Sequence, residues 1–450
     1  MRLIARFAQE KEDFFEVITV YDKRTIKERL NKKRPALISI VKDYPAAVWF
    51  ERKITDDFGI EILYSNDKRP LVKHEHFPND IFPMRKNYTK LSIDHEEESF
   101  LVDNNHGSII GPTHPYLLES SQFQFFDKNK TILHFEMMPF YKYRGIEKMV
   151  EGLTLEEAQP IVERISATES IAYQTALLEI RLEASKKELP EMLKKRHVFL
   201  LEFERILVHL NDLTILSQLV EFYAGSAFFA KFLELGRENM KELTGHRFGF
   251  NSVVLDNNAS NMDKVYEFLF LLEKDLIAFE KWIETKDDIL KAMLLLGQIS
   301  KSDMESYGLV GIVARSNNIN IDRRNDDRFY EKNDFYINLE EAGDTFSRFN
   351  IRITEIFTSL RVMRNLITHE MLPFFMGTPI DGEYYSYVEA SSGELMMYIS
   401  LKKGVIERFY VRDASFLNGL ALSLATKNSD VSTLDLIIKS IPLNISAIDL

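Results

Sequence analysis

The sequence predicts an α+β protein: a small N-terminal α/β domain, then a mainly α-helical bundle domain with peripheral β-hairpins. Three observations carry this reading. Short β-branched runs alternate with an amphipathic segment before residue 90, apolar residues recur at helical spacing from about 145 to 300, and strand-like alternation returns near the C-terminus. At 450 residues the chain exceeds one ordinary core, so two domains are expected.

The elements follow in order. Phe14 to Tyr21 and Ala36 to Val41 read as strands by their β-branched content. Ala46 to Phe58 reads as an amphipathic helix with Trp49 and Ile54 on its apolar side, closed by Gly59. Residues 91–110 are acidic and turn-rich (Asp94-His95-Glu96-Glu97-Glu98, then Asp103-Asn104-Asn105-His106-Gly107) and read as a linker. Phe123 to Phe126 and Thr131 to Phe135 are strands split by the turn Asp127-Lys128-Asn129-Lys130. Glu156 to Glu183 and Pro190 to Tyr223 are long periodic helical segments, with Pro190 suited to a helix start. Asp263 to Lys281 and Gly343 to Thr368 continue the pattern, the latter placing Ile351, Ile353, Ile356, Leu360 and Leu366 at helical spacing. Glu394 to Leu401, the turn Lys402-Lys403-Gly404 and Val405 to Val411 form a hairpin.

Composition narrows the function. The net charge of −12, without a long basic run, argues against nucleic acid as a partner and fits an anionic membrane surface poorly. No stretch approaches the roughly 18 apolar residues of a spanning helix. The start, Met1 to Phe7, turns charged at Glu10, Lys11, Glu12 and Asp13 before a signal-peptide core forms, so membrane association is expected through partner proteins. There is no cysteine, which removes disulfides, thiolate nucleophiles and every sulfur-built iron–sulfur or zinc site, and suits a reducing cytoplasm.

Tyr44-Pro45-Ala46-Ala47-Val48-Trp49-Phe50-Glu51-Arg52-Lys53, with Asp57-Phe58-Gly59-Ile60 and the later Met84-Arg85-Lys86-Asn87-Tyr88, resembles the signature of the 30 kDa-type subunit of complex I. The remainder resembles the 49 kDa-type subunit, which shares ancestry with the large subunit of [NiFe]-hydrogenases. Gly111-Pro112-Thr113-His114-Pro115, Tyr143-Arg144-Gly145-Ile146-Glu147-Lys148 with Glu151-Gly152-Leu153-Thr154, and Leu201 to Asp212 follow that family's motifs. So do Thr244-Gly245-His246-Arg247-Phe248, Gly343 to Phe349 and Val388-Glu389-Ala390-Ser391-Ser392-Gly393-Glu394. The resemblance is to the fused arrangement of formate-hydrogenlyase and hydrogenase-4 type large subunits. It implies a 30 kDa-type domain over residues 1–90 and a 49 kDa-type domain over 111–450, joined by the linker.

The family holds nickel and iron with two C-x-x-C pairs, because soft anionic sulfur stabilises nickel redox states and bridges metals. The first motif, R-I-C-G-x-C-S-x-A-H, aligns with Arg164 to Tyr173 and puts Ser166 and Glu169 at the cysteine positions. The second, S-I-D-P-C-x-S-C-x-x-R, aligns with Ser440 to Leu450 and puts Asn444 and Ala447 there. The sequence ends at this motif, so no C-terminal extension of the kind hydrogenases process is expected. Ser166, Glu169 and Asn444 under-supply a hard cation. The better expectation is that these side chains fill the vacated cavity or hydrogen-bond across it, and that a buried Glu169 finds a donor or stays protonated.

The quinone pair of complex I, a histidine and a tyrosine, aligns here with Leu118 and Ala167; His114 and Tyr173 lie near but off those positions. His114-Pro115-Tyr116-Leu117-Leu118-Glu119 resembles the hydrogenase H-P-x-L-x-E, in which the glutamate relays protons, so Glu119 reads either as a relay or as a surface glutamate. Arg144, Glu147, Glu204, Arg205, His209, Arg247 and Arg348 fall in matched motifs, where buried ion pairs would satisfy them.

The resemblance thus implies a large-subunit-like component, peripheral on the cytoplasmic membrane face, of a complex-I-like assembly that couples electron transfer to ion translocation without a nickel–iron centre. Its expected partners are an iron–sulfur small subunit and membrane-embedded antiporter-like subunits, with no cofactor on this chain. Glu119 and Glu169 are the candidate proton-handling residues. Two alternatives stay open: an oxidoreductase subunit reducing quinone or another small acceptor in the vacated cavity, and a purely architectural subunit.

Overall fold

The computed structural model describes residues 1–450 except 74–76, 79, 89–106, 116, 118, 254–261 and 367–375. The acidic stretch read as a linker falls mostly on the undescribed residues.

The N-terminal region opens with strands β1 (Leu3–Glu10), β2 (Phe14–Tyr21) and β3 (Thr25–Asn31), an antiparallel meander in the order β1-β2-β3. β1 and β3 are not evident from the sequence. β4 (Ala36–Ile38) pairs in parallel with β5 (Glu61–Leu63), and helix α1 (Ala47–Phe58) connects them. β4 stops three residues before the expected Val41. The Ile40 N–H donates to the Glu51 carboxylate at 2.8 Å, and the Arg6 guanidinium takes the Ile38 carbonyl at 3.2 Å, so side chains replace the next ladder rungs. Gly59 ends α1 at φ 67°, a conformation that penalises any Cβ.

β6 (Ser108–Ile110), β7 (Gln122–Lys128) and β8 (Thr131–Met138) form a second antiparallel sheet, its β7–β8 turn made by Asn129 and Lys130 at φ 51° and 66°. Helices α2 (Ile146–Val150), α3 (Leu155–Val162), α4 (Ser170–Ala184), α5 (Glu191–Leu219), α6 (Tyr223–Thr244) and α7 (Asp263–Ile283) follow. The periodic segment from Glu156 to Glu183 is therefore two helices, interrupted over 163–169. The segment from Pro190 likewise ends at Leu219, and Tyr223 opens α6. Neither break holds a glycine or proline to mark it, and Ile165, Ser166 and Glu169 in the first and Phe222 in the second are buried.

Short helices α8 (Asp287–Met293), α9 (Lys301–Tyr307), α10 (Ile312–Arg315) and α11 (Arg328–Glu331) lead to α12 (Thr345–Asn365), capped by the Asp344 carboxylate accepting the Ser347 N–H at 2.8 Å. Strands β9 (Gly382–Glu389), β10 (Glu394–Lys402) and β11 (Val405–Arg412) make a third antiparallel sheet with β10 central. Helices α13 (Ala414–Ala425), α14 (Leu434–Ser440) and α15 (Ile445–Asp449) complete the chain. Among the described residues no helix is long and apolar enough to cross a membrane.

β10 separates two cores. Leu395, Met397, Ile399 and Leu401 join the cluster built by α3 to α7 and α12, while Met396 and Tyr398 join a second cluster with Leu3, Phe7, Trp49, Phe135 and Leu417. A strand buried on both faces reads as an unbroken apolar run. The N-terminal region is locked to this sheet: Phe7 stacks on Tyr410 at 4.1 Å, Arg408 donates to the Ala8 carbonyl and Arg412 to the Ile4 carbonyl, each at 3.0 Å.

Candidate functional site: the cleft between the two motif loops

The loop 163–169 carries the first motif. α4 starts without a cap from its own sequence, yet its first N–H groups have no intrahelical acceptor. Glu204 on α5 supplies one, its two oxygens accepting the Ile171 and Ala172 N–H groups at 2.7 and 3.0 Å. Burial, reinforced by the Glu169 carboxylate, holds the Glu204 carboxyl well above the usual range despite these donors.

The second motif loop runs from α14 to α15 and faces the first. The Asn444 N–H donates to Ser415 Oγ at 2.9 Å, and its side-chain amide donates both to Ser166 Oγ and, at 3.2 Å, to Glu169 Oε2. The second Glu169 oxygen accepts the Ser392 N–H at 2.8 Å, from the β9–β10 turn. Three of the four aligned ligand positions thus hydrogen-bond to one another. The fourth, Ala447, is buried, its N–H on the Asn444 carbonyl at 3.1 Å.

Glu169 is 1% exposed and makes no ion pair among the described residues. Burial, and then the nearby Asp413 carboxylate, push its carboxyl up to about 7. Asp413 is raised by the same burial while it accepts from Tyr173 Oη at 3.1 Å and the Ser415 N–H at 2.8 Å. Glu169, Asp413 and Tyr173 thus form a buried acid group held by hydrogen-bond donors, with no ion pair to either carboxyl among the described residues and Arg412 acting on Asp413 only at longer range.

Arg144, just before α2, clamps the two loops. Its guanidinium donates to the carbonyls of Arg164 (3.2 Å) and Ile165 (2.9 Å) on the first and to Ser446 (2.5 Å) on the second. Asp449 pins the segment leading to Arg144 by accepting the Phe140 and Lys142 N–H groups at 2.6 and 2.9 Å.

Between the loops lies a cleft of about 220 Å³, lined by Glu119, Ser166, Glu169 and Asn444, with Leu207 and Met240 among its apolar walls. Glu119 stands at its edge in an ion pair with Lys142 at 2.7 Å. Ala167 lines the cleft; Leu118 lies outside the described residues. Tyr173 is buried against Asp413, and His114 Nε2 sits 2.8 Å from the Ser121 carbonyl, so neither enters the cleft wall.

The charged motif residues divide into two groups. Ion pairs hold Glu147 (Arg408, 2.7 Å; Lys53, 3.3 Å), Arg205 (Glu202, 3.2 Å) and, on the surface, Arg247 (Glu234, 2.7 Å), while a hydrogen bond of 2.9 Å ties His209 Nε2 to the Glu355 carboxylate. Arg144, Glu204 and Arg348 depart from the ion-pair expectation, because each faces backbone groups left free at a helix end or turn. Arg348 donates to the carbonyls of Gly343 and Gly297 at 2.8 and 3.0 Å.

Comparison with known proteins agrees with this architecture. Residues 3–92 match the respiratory-chain NADH dehydrogenase 30 kDa subunit family, and residues 234–374 the 49 kDa subunit family. The chain is a fusion of complex I 30 kDa-type and 49 kDa-type domains. Formate hydrogenlyase subunit 5 of Escherichia coli K12 is a homologue, 24% identical over 447 residues, covering 93% of this chain and 77% of that protein. Hydrogenase-4 component G of the same organism is another, 26% identical over 431 residues, covering 90% of this chain and 74% of that protein. Among solved structures, a chain of an archaeal respiratory membrane complex, the membrane-bound sulfane sulfur reductase, shares the fold with a TM-score of 0.70 at 19% identity, covering 76% of this chain and 98% of that one.

Sequence reasoning missed Asp413, Ser392 and Ser415. Asp413 carried one local signal, an aspartate ahead of a helix whose carboxylate caps the Ser415 N–H, but that signal predicts a cap rather than a partner for Glu169. Ser392 acts through its backbone N–H, which no side-chain pattern reveals.

Proposed function

We propose that this chain is the large-subunit-type component of a membrane-associated, complex-I-like redox complex, that it holds no nickel–iron centre, and that it couples electron transfer to ion translocation. One observation carries the reading: the two motif loops face each other across a cleft, and a hydroxyl, a carboxylate and an amide at Ser166, Glu169 and Asn444, the positions that the resemblance aligns with the family's cysteines, bond to one another. With Ala447 as the fourth, this donor set offers no soft anionic ligand and does not fit a thiolate-built nickel–iron site. The partners would be an iron–sulfur small subunit and membrane-embedded antiporter-like subunits, holding the chain at the cytoplasmic membrane face. In support, the relatives named above come from hydrogenlyase and hydrogenase-4 systems, and the structural neighbour from a respiratory membrane complex.

In this reading Glu169 and Asp413, buried without an ion pair among the described residues, take up and release a proton as the charge of a neighbouring cluster changes, and the β9–β10 turn feels the change through the Ser392 N–H. Glu119 at the cleft edge would exchange that proton with solvent. The test is to purify the tagged chain from native membranes and measure nickel and iron together with the co-purifying subunits. The reading expects iron, membrane subunits and no nickel; stoichiometric nickel would overturn it.

The open cleft favours a second reading, in which a small acceptor is reduced there. Glu169→Gln would then abolish turnover, whereas in the first reading it uncouples turnover from ion movement.

A further inference from the structure

The charges around the cleft do not cancel in kind. Of the cations in its walls, Lys439 is held by Asp212 at 2.6 Å, Arg164 by Glu163 at 2.5 Å and Arg247 by Glu234 at 2.7 Å. Two are left. Among the described residues Arg144 makes only the three carbonyl bonds already described, which leave its Nε–H and a second N–H uncommitted there. Arg237, on α6, lies over the Phe248 ring at 5.6 Å and makes no hydrogen bond or ion pair among the described residues; the carboxylate next to it, Glu234, is taken by Arg247.

On the acid side, Glu119 is paired with Lys142 and Asp212 with Arg352 and Lys439. The carboxyls left over are Glu169 and Glu204, both buried, both accepting backbone N–H groups, and both pushed toward the neutral form. Two permanent cations therefore face the cleft against two carboxyls that resist ionisation. Size narrows the occupant further. A volume of about 220 Å³ lies below the roughly 300 to 1,000 Å³ of drug-sized sites.

We propose that the cleft binds a small anion of a few heavy atoms, gripped by the guanidiniums of Arg144 and Arg237 above the Ser166–Asn444 floor. This rests on reading the cleft as the functional remnant of the family site and gives it a ligand class. Guanidinium is the natural receptor, because its planar fork matches two oxygens of a carboxylate or oxyanion at once. A neutral quinone head group offers no charge for the arginines and is a poorer fit.

Isothermal titration of the full-length chain tests this, with sodium sulfate and sodium acetate as probes in a zwitterionic buffer that adds no competing small anion. At least one probe should bind saturably at one site per chain. Arg237→Gln should weaken that binding at least tenfold, while Lys23→Gln, in the exposed turn between β2 and β3 and outside the cleft lining, should not. Arg144→Lys, which keeps the charge but cannot hold three carbonyls and fork an anion, should weaken it by a similar factor with the circular dichroism spectrum intact. Heats that never saturate for either probe, or wild-type affinity in Arg237→Gln, overturn the proposal. A chain that binds neither anion yet still co-purifies with membrane subunits and without nickel refutes the anion site alone.

Discussion

Replacing Glu169 by glutamine should stabilise the protein at pH 8 and not at pH 5. The side chain is 1% exposed, and its carboxyl is pushed from an ordinary 4.5 up to about 7. In the folded state the proton is held more tightly than in the unfolded chain. The penalty for ionising Glu169 is therefore absent below the unfolded value, grows as pH rises from about 4.5 to about 7, and is complete above that. At 1.36 kcal/mol per unit the full penalty is roughly 3 kcal/mol. Glutamine removes it but brings a cost of its own. Its oxygen must keep the Ser392 N–H, which turns its amide nitrogen toward the Asn444 amide and obliges that group to rotate, costing about 1 kcal/mol. The net gain at pH 8 is about 2 kcal/mol. Urea denaturation of wild type and variant at the two pH values reads this directly, provided the denaturant slope is unchanged. Asp413→Asn supplies an independent arm, because removing the charge that helps raise Glu169 should narrow the pH window. A stability difference that is the same at pH 5 and pH 8 would refute the argument, since it would mean that Glu169 titrates as an ordinary carboxyl.

Three further outcomes are expected. Arg144→Ala removes three charged bonds to the motif loops and should cost about 2 kcal/mol by chemical denaturation, with faster proteolysis in 163–169 as a second readout. Glu204→Ala leaves the Ile171 and Ala172 N–H groups buried without an acceptor and should cost roughly 3 kcal/mol in a urea melt, whereas Glu204→Gln, which keeps an acceptor, should cost about 1 kcal/mol. Burial lowers the His209 imidazole below its ordinary 6.5 against the pull of Glu355, so its contribution to stability should fall as pH drops through 6.5, and the nitrogen shifts of a labelled His209 should report less protonation than a free imidazole at the same acidic pH.

How far the sequence could be read depended on how local the cause was. Phe14–Tyr21, α1 with its Gly59 stop and the β10–β11 hairpin with its Lys403-Gly404 turn were legible, because propensity and turn chemistry act between near neighbours. β1 was not, since it carries Arg6 and Gln9 into the interior. Neither residue looks like a strand core until Glu51, Glu16 and Tyr398 arrive to satisfy it. β9 was hidden for a similar reason, as its tyrosines and glutamates alternate too weakly to signal a buried edge. Within the cleft, resemblance located Ser166, Glu169, Asn444 and Ala447, and the structure brings the first three into contact across separations of 275 and 278 residues. The acid partner Asp413, the Ser392 N–H and Arg237, which has no ion pair among the described residues, could not be inferred, because what matters about each is set by neighbours distant in the chain.

The lock between β1 and β11 bears on how the protein is made. Ile4 and Ala8 are synthesised about four hundred residues before the arginines that claim their carbonyls, and Arg2 waits as long for Glu394. Until the last hairpin leaves the ribosome, the nascent chain exposes one edge of its first sheet and the apolar faces of Leu3 and Phe7. Unpaired edges and exposed apolar surface are what chaperones hold and what aggregation recruits. Completion is thus a single late event. Nascent chains halted before Val405 should stay chaperone-bound, and those extended past Arg412 should release.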